Sequence, residues 1–282
     1  MLTLDQLKER QLAISQEAIA NPLAPITENI KNKFVDIVNT FSTLLPTQKK
    51  EVNSLYIIKL SEAEKKVNQV RTYGYMPLKD LKVPVIEGTF GSPTVVTKTI
   101  AEALSLSDEL MKATLTPLHD LILSFLGDPS KLSKLDVNEF KKVKLFDDQI
   151  DNYKTELKKH INPNKNIQVR PFKEVYDNIE QYGLHFSLCK NQLYPNYVKT
   201  AEQRIRIVTK MKEISQSLDL LMLRIEQKPE TYNINSFNVN KLAGLVVSVA
   251  EVVEFIGSMQ VYADMQLGLM MDLLVKVEKA IK

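Results

Sequence analysis

Apolar residues recur at three-and-four spacing through nearly the whole 282-residue chain, and proline or glycine stands at most points where that rhythm stops. The pattern predicts helices joined by short connections. Leu4 to Ile19 makes the first, ended by Asn21-Pro22 and Pro25. Ile26, Ile30, Phe34, Ile37, Val38, Phe41 and Leu45 give the second its apolar face, and Pro46 stops it. Val52, Leu55, Tyr56, Leu60, Ala63, Val67 and Val70 do the same for a third. Ser92-Pro93 is a helix-start pair, opening a helix that continues through Ile100, Leu104, Met111, Leu115, Leu118, Ile122 and Phe125, with a kink expected at Pro117 and an end at Gly127-Asp128-Pro129. Further helices are expected at 143–161, from Pro171 to Pro195, and from Tyr197 to Gln227.

The strongest signal is at the C-terminal end. From Asn240 to Ile281 a seven-residue repeat runs through Leu242, Val249, Ile256, Ala263, Met270 and Val277, and through Leu245, Val252, Met259, Gln266, Leu273 and Ala280. Only Gln266 is polar among these. An adjacent series, Val246, Val253, Gln260, Leu267, Leu274 and Ile281, is also mostly apolar, so this helix needs packing partners on two faces. The fold expected is all-α, an elongated multi-helix bundle with a long C-terminal helix. Three regions are expected along it: an N-terminal helical region at 1–129, a polar connecting region at 130–171, and a C-terminal helical bundle at 172–282, or else one continuous domain.

One stretch departs from the helical rhythm. Between Tyr73 and Gly91, Gly74, Pro77, Pro84, Gly88 and Gly91 interrupt Leu78, Leu81, Val83, Val85, Ile86 and Phe90, which predicts a structured apolar loop or short hairpin. So apolar a loop either tucks under its own helices or docks on another chain. Leu81, Val83, Pro84, Val85, Ile86 and Phe90 are therefore candidate partner-docking residues.

Composition narrows the function. Lys plus Arg is 37 against 34 for Asp plus Glu, a net charge of +3, which offers no general grip on nucleic acid or anionic lipid. Eight glycines leave little room for phosphate-cradling loops, and the single cysteine, Cys189, has no internal disulfide partner. The N-terminus interleaves charge with apolar residues and does not read as a secretory signal. Glu251, Glu254, Asp264 and Asp272 interrupt the apolar C-terminal helix, so no membrane span is expected.

The chemistry-bearing residues are few. His119 and His160 lack the second ligand at turn or helix spacing that a metal would need, and all three histidines, His185 included, read as surface or satisfied-core histidines. Cys189 shares a helix face with His185 but falls on an apolar stripe, the setting of an inert thiol. Glu251 and Glu254 have no Glu-x-x-His companions and are expected to face solvent or pair with lysine. Lys199, Arg204, Arg206, Lys210 and Lys212 read as a solvated face diluted by Glu202 and Glu213. No nucleotide-binding or nucleophile-elbow motif is present. The expectation is a protein that is not an enzyme, with no cofactor, metal or small-molecule substrate.

The passage Tyr73-Gly-Tyr-Met-Pro-Leu-Lys-Asp-Leu-Lys-Val-Pro-Val-Ile-Glu-Gly, followed by the long helix to Phe125-Leu-Gly-Asp-Pro-Ser-Lys-Leu, resembles helical structural or internal head proteins of large tailed bacteriophages over residues 1–135. The resemblance implies a virion component that packs against other virion proteins or copies of itself, located in the particle or the host cytoplasm. Such phages often process internal proteins after glutamate in small-x-Glu contexts. Ser15-Gln16-Glu17 resembles such a site, making Glu17 a candidate processing position. Ser107-Asp108-Glu109 has the same pattern but lies within a predicted helix, which argues against cleavage there.

Overall fold

The computed structural model describes residues 28, 32, 35, 36, 62, 78, 80–134, 137–161, 167–227 and 236–281. Glu17 and nearly all of the three helices expected before residue 71 lie outside them. Among the described residues the protein is helical apart from one two-stranded ribbon, so the fold is all-α. These residues form two compact units. One holds the described parts of Met1–Ser42, Glu109–Leu145 and Ile205–Glu254; the other holds those of Thr43–Asp108, Phe146–Arg204 and Phe255–Lys282.

The second unit contains the ribbon. Strand β1 (Lys82–Ile86) pairs antiparallel with β2 (Ile167–Pro171), Lys82 opposite Pro171 and Ile86 opposite Ile167. This corrects the expectation of a local loop or hairpin at 73–91, because the apolar run takes its partner from distant sequence. Gly88 and Gly91, at φ 85 and 93, then turn the chain through a conformation costly for any side chain. Helix α1 (Pro93–Ser105) follows with Pro93 in its first turn, where a missing N–H costs nothing. Ser92 does not cap it; its hydroxyl lies 3.0 Å from His160 Nδ1. Helix α3 (Asp147–Lys158) begins with Asp147 and Asp148, two acids beside the positive end of the helix dipole.

The helix expected from Pro171 to Pro195 is broken once, at 176–178. Phe172–Val175 makes one short turn, Tyr176 is extended, and α4 (Ile179–Leu188) starts afresh where Asn178 Oδ1 accepts from the Gln181 N–H at 2.8 Å. Gln181 in turn accepts from the Asp177 N–H at 2.9 Å, a capping box displaced by one residue. Phe172, Tyr176 and Tyr182 pack as an aromatic trio with centroids 5.0 to 5.6 Å apart, the two tyrosines edge to face.

Neither internal proline ends its helix. A π-helical turn at Leu110–Leu115 precedes Thr116-Pro117 at the start of α2 (Thr116–Gly127), and another at Cys189–Leu193 precedes Tyr194-Pro195 at the start of α5 (Tyr194–Gln227). In each, the residue before proline donates five residues back: Thr116 to Met111 O and Tyr194 to Cys189 O. A proline ring clashes with the carbonyl four residues before it, and the wider turn moves that carbonyl aside. In the first unit the carbonyl freed in this way, Ala113 O, accepts the Lys144 N–H at 2.8 Å, and Thr114 Oγ1 donates to Lys144 O.

Helix α6 (Ser236–Ile281) contributes Ser236–Glu254 to the first unit and the rest to the second. Its seven-residue pattern is realised as burial. Leu242, Val249, Ile256 and Ala263 have no exposed surface, and Leu245, Val252, Met259, Gln266, Met270, Leu273 and Val277 are buried, as are Val246, Val253, Gln260, Leu267 and Leu274 of the adjacent series. Contrary to expectation, the four acids do not take this helix below the length and hydropathy of a membrane span. Phe237–Val277 passes that test, but 67% of its apolar window is buried inside the protein, as in a core helix.

Candidate functional site

Most of the groups capable of chemistry are interlocked inside the second unit. His185 is buried between two hydroxyls, with Tyr176 Oη 2.7 Å from Nδ1 and Thr97 Oγ1 2.8 Å from Nε2. Thr97 spends its own proton on Pro93 O at 2.8 Å, so it accepts from His185 Nε2–H. Nδ1 is then the lone-pair nitrogen and accepts from Tyr176. The result is a one-way relay from Tyr176 through His185 and Thr97 to a backbone carbonyl. Burial lowers the His185 pKa to about 3 and raises that of Cys189, which hydrogen bonds to Thr97, to about 12. The tyrosines titrate far above their usual range for the same reason. These are the settings of structural groups, since a reactive thiol or base needs its charged form within reach. A cavity of about 10 Å³, the room of one water, adjoins His185 and Tyr176 beside Thr89 and Gln266.

Arg204 corrects the expectation of a solvated basic face. It is 3% exposed, with Nε donating to Gln260 Oε1 at 3.0 Å, and Nη1 has no partner. Gln260 Nε2, also buried, has none either. Asp264 supplies a nearby countercharge and accepts from Tyr197 Oη at 2.8 Å. Arg206, Lys199 and Lys212 are exposed as expected.

In the first unit His119 lies 3.1 Å from Ser217 Oγ, with Lys210 Nζ 2.9 Å from its other nitrogen and Glu213 3.8 Å away. Burial, then Lys210, lowers its pKa. All three histidines are satisfied within the fold, and Glu251 and Glu254 are exposed. Among the described residues no group of three His, Cys, Asp or Glu could hold a metal ion.

Val83, Val85 and Ile86 are buried, Leu81 and Pro84 are half-buried, and Phe90 is the exposed member at 39%, with the Arg170 guanidinium 4.7 Å from its ring centre. Apolar side chains on alternate strand positions have gone into the unit's own core, and Phe90 is the most exposed of the six candidates. The Ser107-Asp108-Glu109 pattern is helical, and the Ser107 hydroxyl is buried against Thr200.

Among the charged residues of the surface stand several large apolar side chains. Ile167 and Val169 stand on β2 with 56% and 58% exposure, and Leu220 and Leu223, three apart on α5, share one exposed face. Between α3 and α6 lies an open groove of about 240 Å³ floored by Leu157, Ile161, Phe255, Met259 and Tyr262 and flanked by Lys154 and Lys158, with Lys154 Nζ 5.9 Å from the Phe255 ring centre. The sequence reading missed both the strand β2 and this groove.

No family model, curated protein or solved structure matches the chain.

Proposed function

We propose that the chain is a non-enzymatic structural component of a tailed-phage particle, an internal head or other virion protein, acting by packing against copies of itself and neighbouring virion proteins. The observation that carries this reading is the inward disposition of chemistry: His185, Cys189 and Tyr176 are locked together inside, while exposed β-branched and leucine side chains stand on the surface. The resemblance of the segment around Leu81–Phe90 and the helix after it to phage head proteins supplies the setting. Mass spectrometry of purified particles grown from the genome that encodes the chain is expected to recover it. Absence from particles with abundance in infected cytoplasm would remove the reading.

A second reading, a module that binds an anionic membrane surface, is favoured by the groove between α3 and α6. Its apolar floor would take an acyl chain and its two flanking lysines the headgroup charge. In this case the full chain sediments with phosphatidylserine vesicles but not with phosphatidylcholine vesicles, in a salt-sensitive way. Lys154→Glu combined with Lys158→Glu would reduce binding roughly tenfold or more, at about 1 kcal/mol per lysine. No sedimentation at low salt rejects it.

A further inference from the structure

The two outer edges of the ribbon differ in what they offer. Phe172 N–H donates to Leu81 O at 2.8 Å, which fixes the phase of the ladder. By alternation Val83 and Arg170, and Val85 and Gln168, direct their N–H and C=O groups at each other. Lys82, Pro84 and Ile86 on β1, and Ile167, Val169 and Pro171 on β2, therefore turn theirs outward. The β1 edge is interrupted: Pro84 has no N–H, Lys82 O lies 3.4 Å from Lys276 Nζ, and Ile86 O accepts both Thr89 N–H at 3.0 Å and Thr89 Oγ1 at 2.7 Å, so none of its three outward residues keeps both groups free. Among the described residues nothing pairs with the β2 edge, where Ile167 and Val169, 56% and 58% exposed, both turn their N–H and C=O groups outward.

Native edge strands are ordinarily guarded by charge, proline or a covering element. The central Ile167-Gln168-Val169 carries no charge. The one cation on the strand, Arg170, is drawn back onto its own chain by Gln168 Oε1 at 2.8 Å, Glu174 at 4.0 Å and the Phe90 ring.

We propose that β2 is a homotypic pairing edge, by which two copies of this chain join Ile167–Val169 antiparallel about a twofold axis at Gln168. In that register Ile167 of one copy faces Val169 of the other, both N–H and C=O groups of each pair are exchanged, and β-branched side chains meet across the join. Gln168 faces Gln168, so no like charges oppose at the axis. A second copy is favoured over a foreign peptide because the two outward residues are related to each other by the axis itself and need no other sequence. The assembly is also self-limiting: the four-stranded sheet so formed has β1 at both ends, and Pro84 closes it, so a dimer results and not a fibre.

This deepens the packing role proposed above by naming a partner, and it is tested separately from it. Sedimentation velocity of the purified full chain over a dilution series is expected to show a concentration-dependent dimer. Val169→Pro removes the outward N–H at a position where β1 needs none, just as Pro84 does opposite, and should weaken the dimer roughly a hundredfold through two lost hydrogen bonds in an edge pairing. Ile167→Lys with Val169→Lys, both at exposed sites, should abolish it, while Val169→Thr retains it, all with an unchanged helical circular-dichroism spectrum. A wild-type chain that stays monomeric, or a dimer that persists undiminished in either edge variant, overturns the pairing. A monomeric chain still recovered from particles would refute this inference and leave the structural role standing, whereas a dimer absent from particles would do the reverse.

Discussion

Ile256→Asp is expected to leave no folded protein. Ile256 has no exposed surface and belongs to the seam in which Val249, Val252, Val253, Met259 and Ala263 are also buried. The substitution removes an apolar side chain worth about 2–3 kcal/mol on burial and puts a carboxylate in its place with no partner, which adds several kcal/mol more whether the group stays charged or is forced to bind a proton. The sum rivals the whole stability of a typical domain, about 5–15 kcal/mol. Soluble yield and thermal melting by circular dichroism check it, beside Ile256→Val, for which a loss of about 1 kcal/mol is expected. A soluble, cooperatively melting Ile256→Asp monomer would move this seam from core to interface.

The second large effect is a loss of stability in acid that traces to His185. Its pKa is about 3 in the folded protein because burial disfavours the imidazolium, against 6.5 for the free side chain. The unfolded chain therefore binds a proton as pH falls through 6.5 while the folded chain does not, and folded-state stability declines from pH 6.5 down to about pH 3, where it levels off. The full span corresponds to on the order of 5 kcal/mol, at about 1.4 kcal/mol per pH unit. Tyr176, which packs on the ring, and its neighbours Tyr182 and Cys189 all have raised pKa values and stay neutral throughout. Urea unfolding at a series of pH values reads the slope. His185→Gln can still accept from Tyr176 and donate to Thr97 but cannot titrate, so it should be less stable than wild type at pH 8 and lose about one proton's worth of slope between pH 6 and 4. An unchanged slope would mean that His185 opens to solvent before it titrates.

The long C-terminal helix was legible because a repeat sustained over many turns admits one solution, and burial of Leu242 through Val277 follows it position by position. The ribbon was not. Each strand is five residues long, β1 carries a proline and β2 ends on one, and neither has a partner nearby in sequence. A pairing between distant short segments leaves no local periodicity to read. Pro195 was read as a stop because proline removes a hydrogen bond, and the π-helical turn that absorbs it involves residues of ordinary composition. Arg204 misled for a different reason. Its neighbours Lys199, Arg206 and Lys212 are exposed, and only the tertiary placement of Gln260 and Asp264 shows that this one arginine turns inward. The docking segment was legible as apolar, but whether an apolar strand is covered by its own chain or by another is decided by packing alone. Val83, Val85 and Ile86 are covered by their own chain.

In the proposed role, outward surfaces serve assembly and inward chemistry serves stability. Quantitative mass spectrometry of gradient-purified particles, before and after a high-salt wash, tests this most directly. A structural component is expected at a fixed copy number per particle that the wash does not change, because apolar and strand-edge contacts are little screened by salt. Trace amounts that vary between preparations and wash away would contradict it.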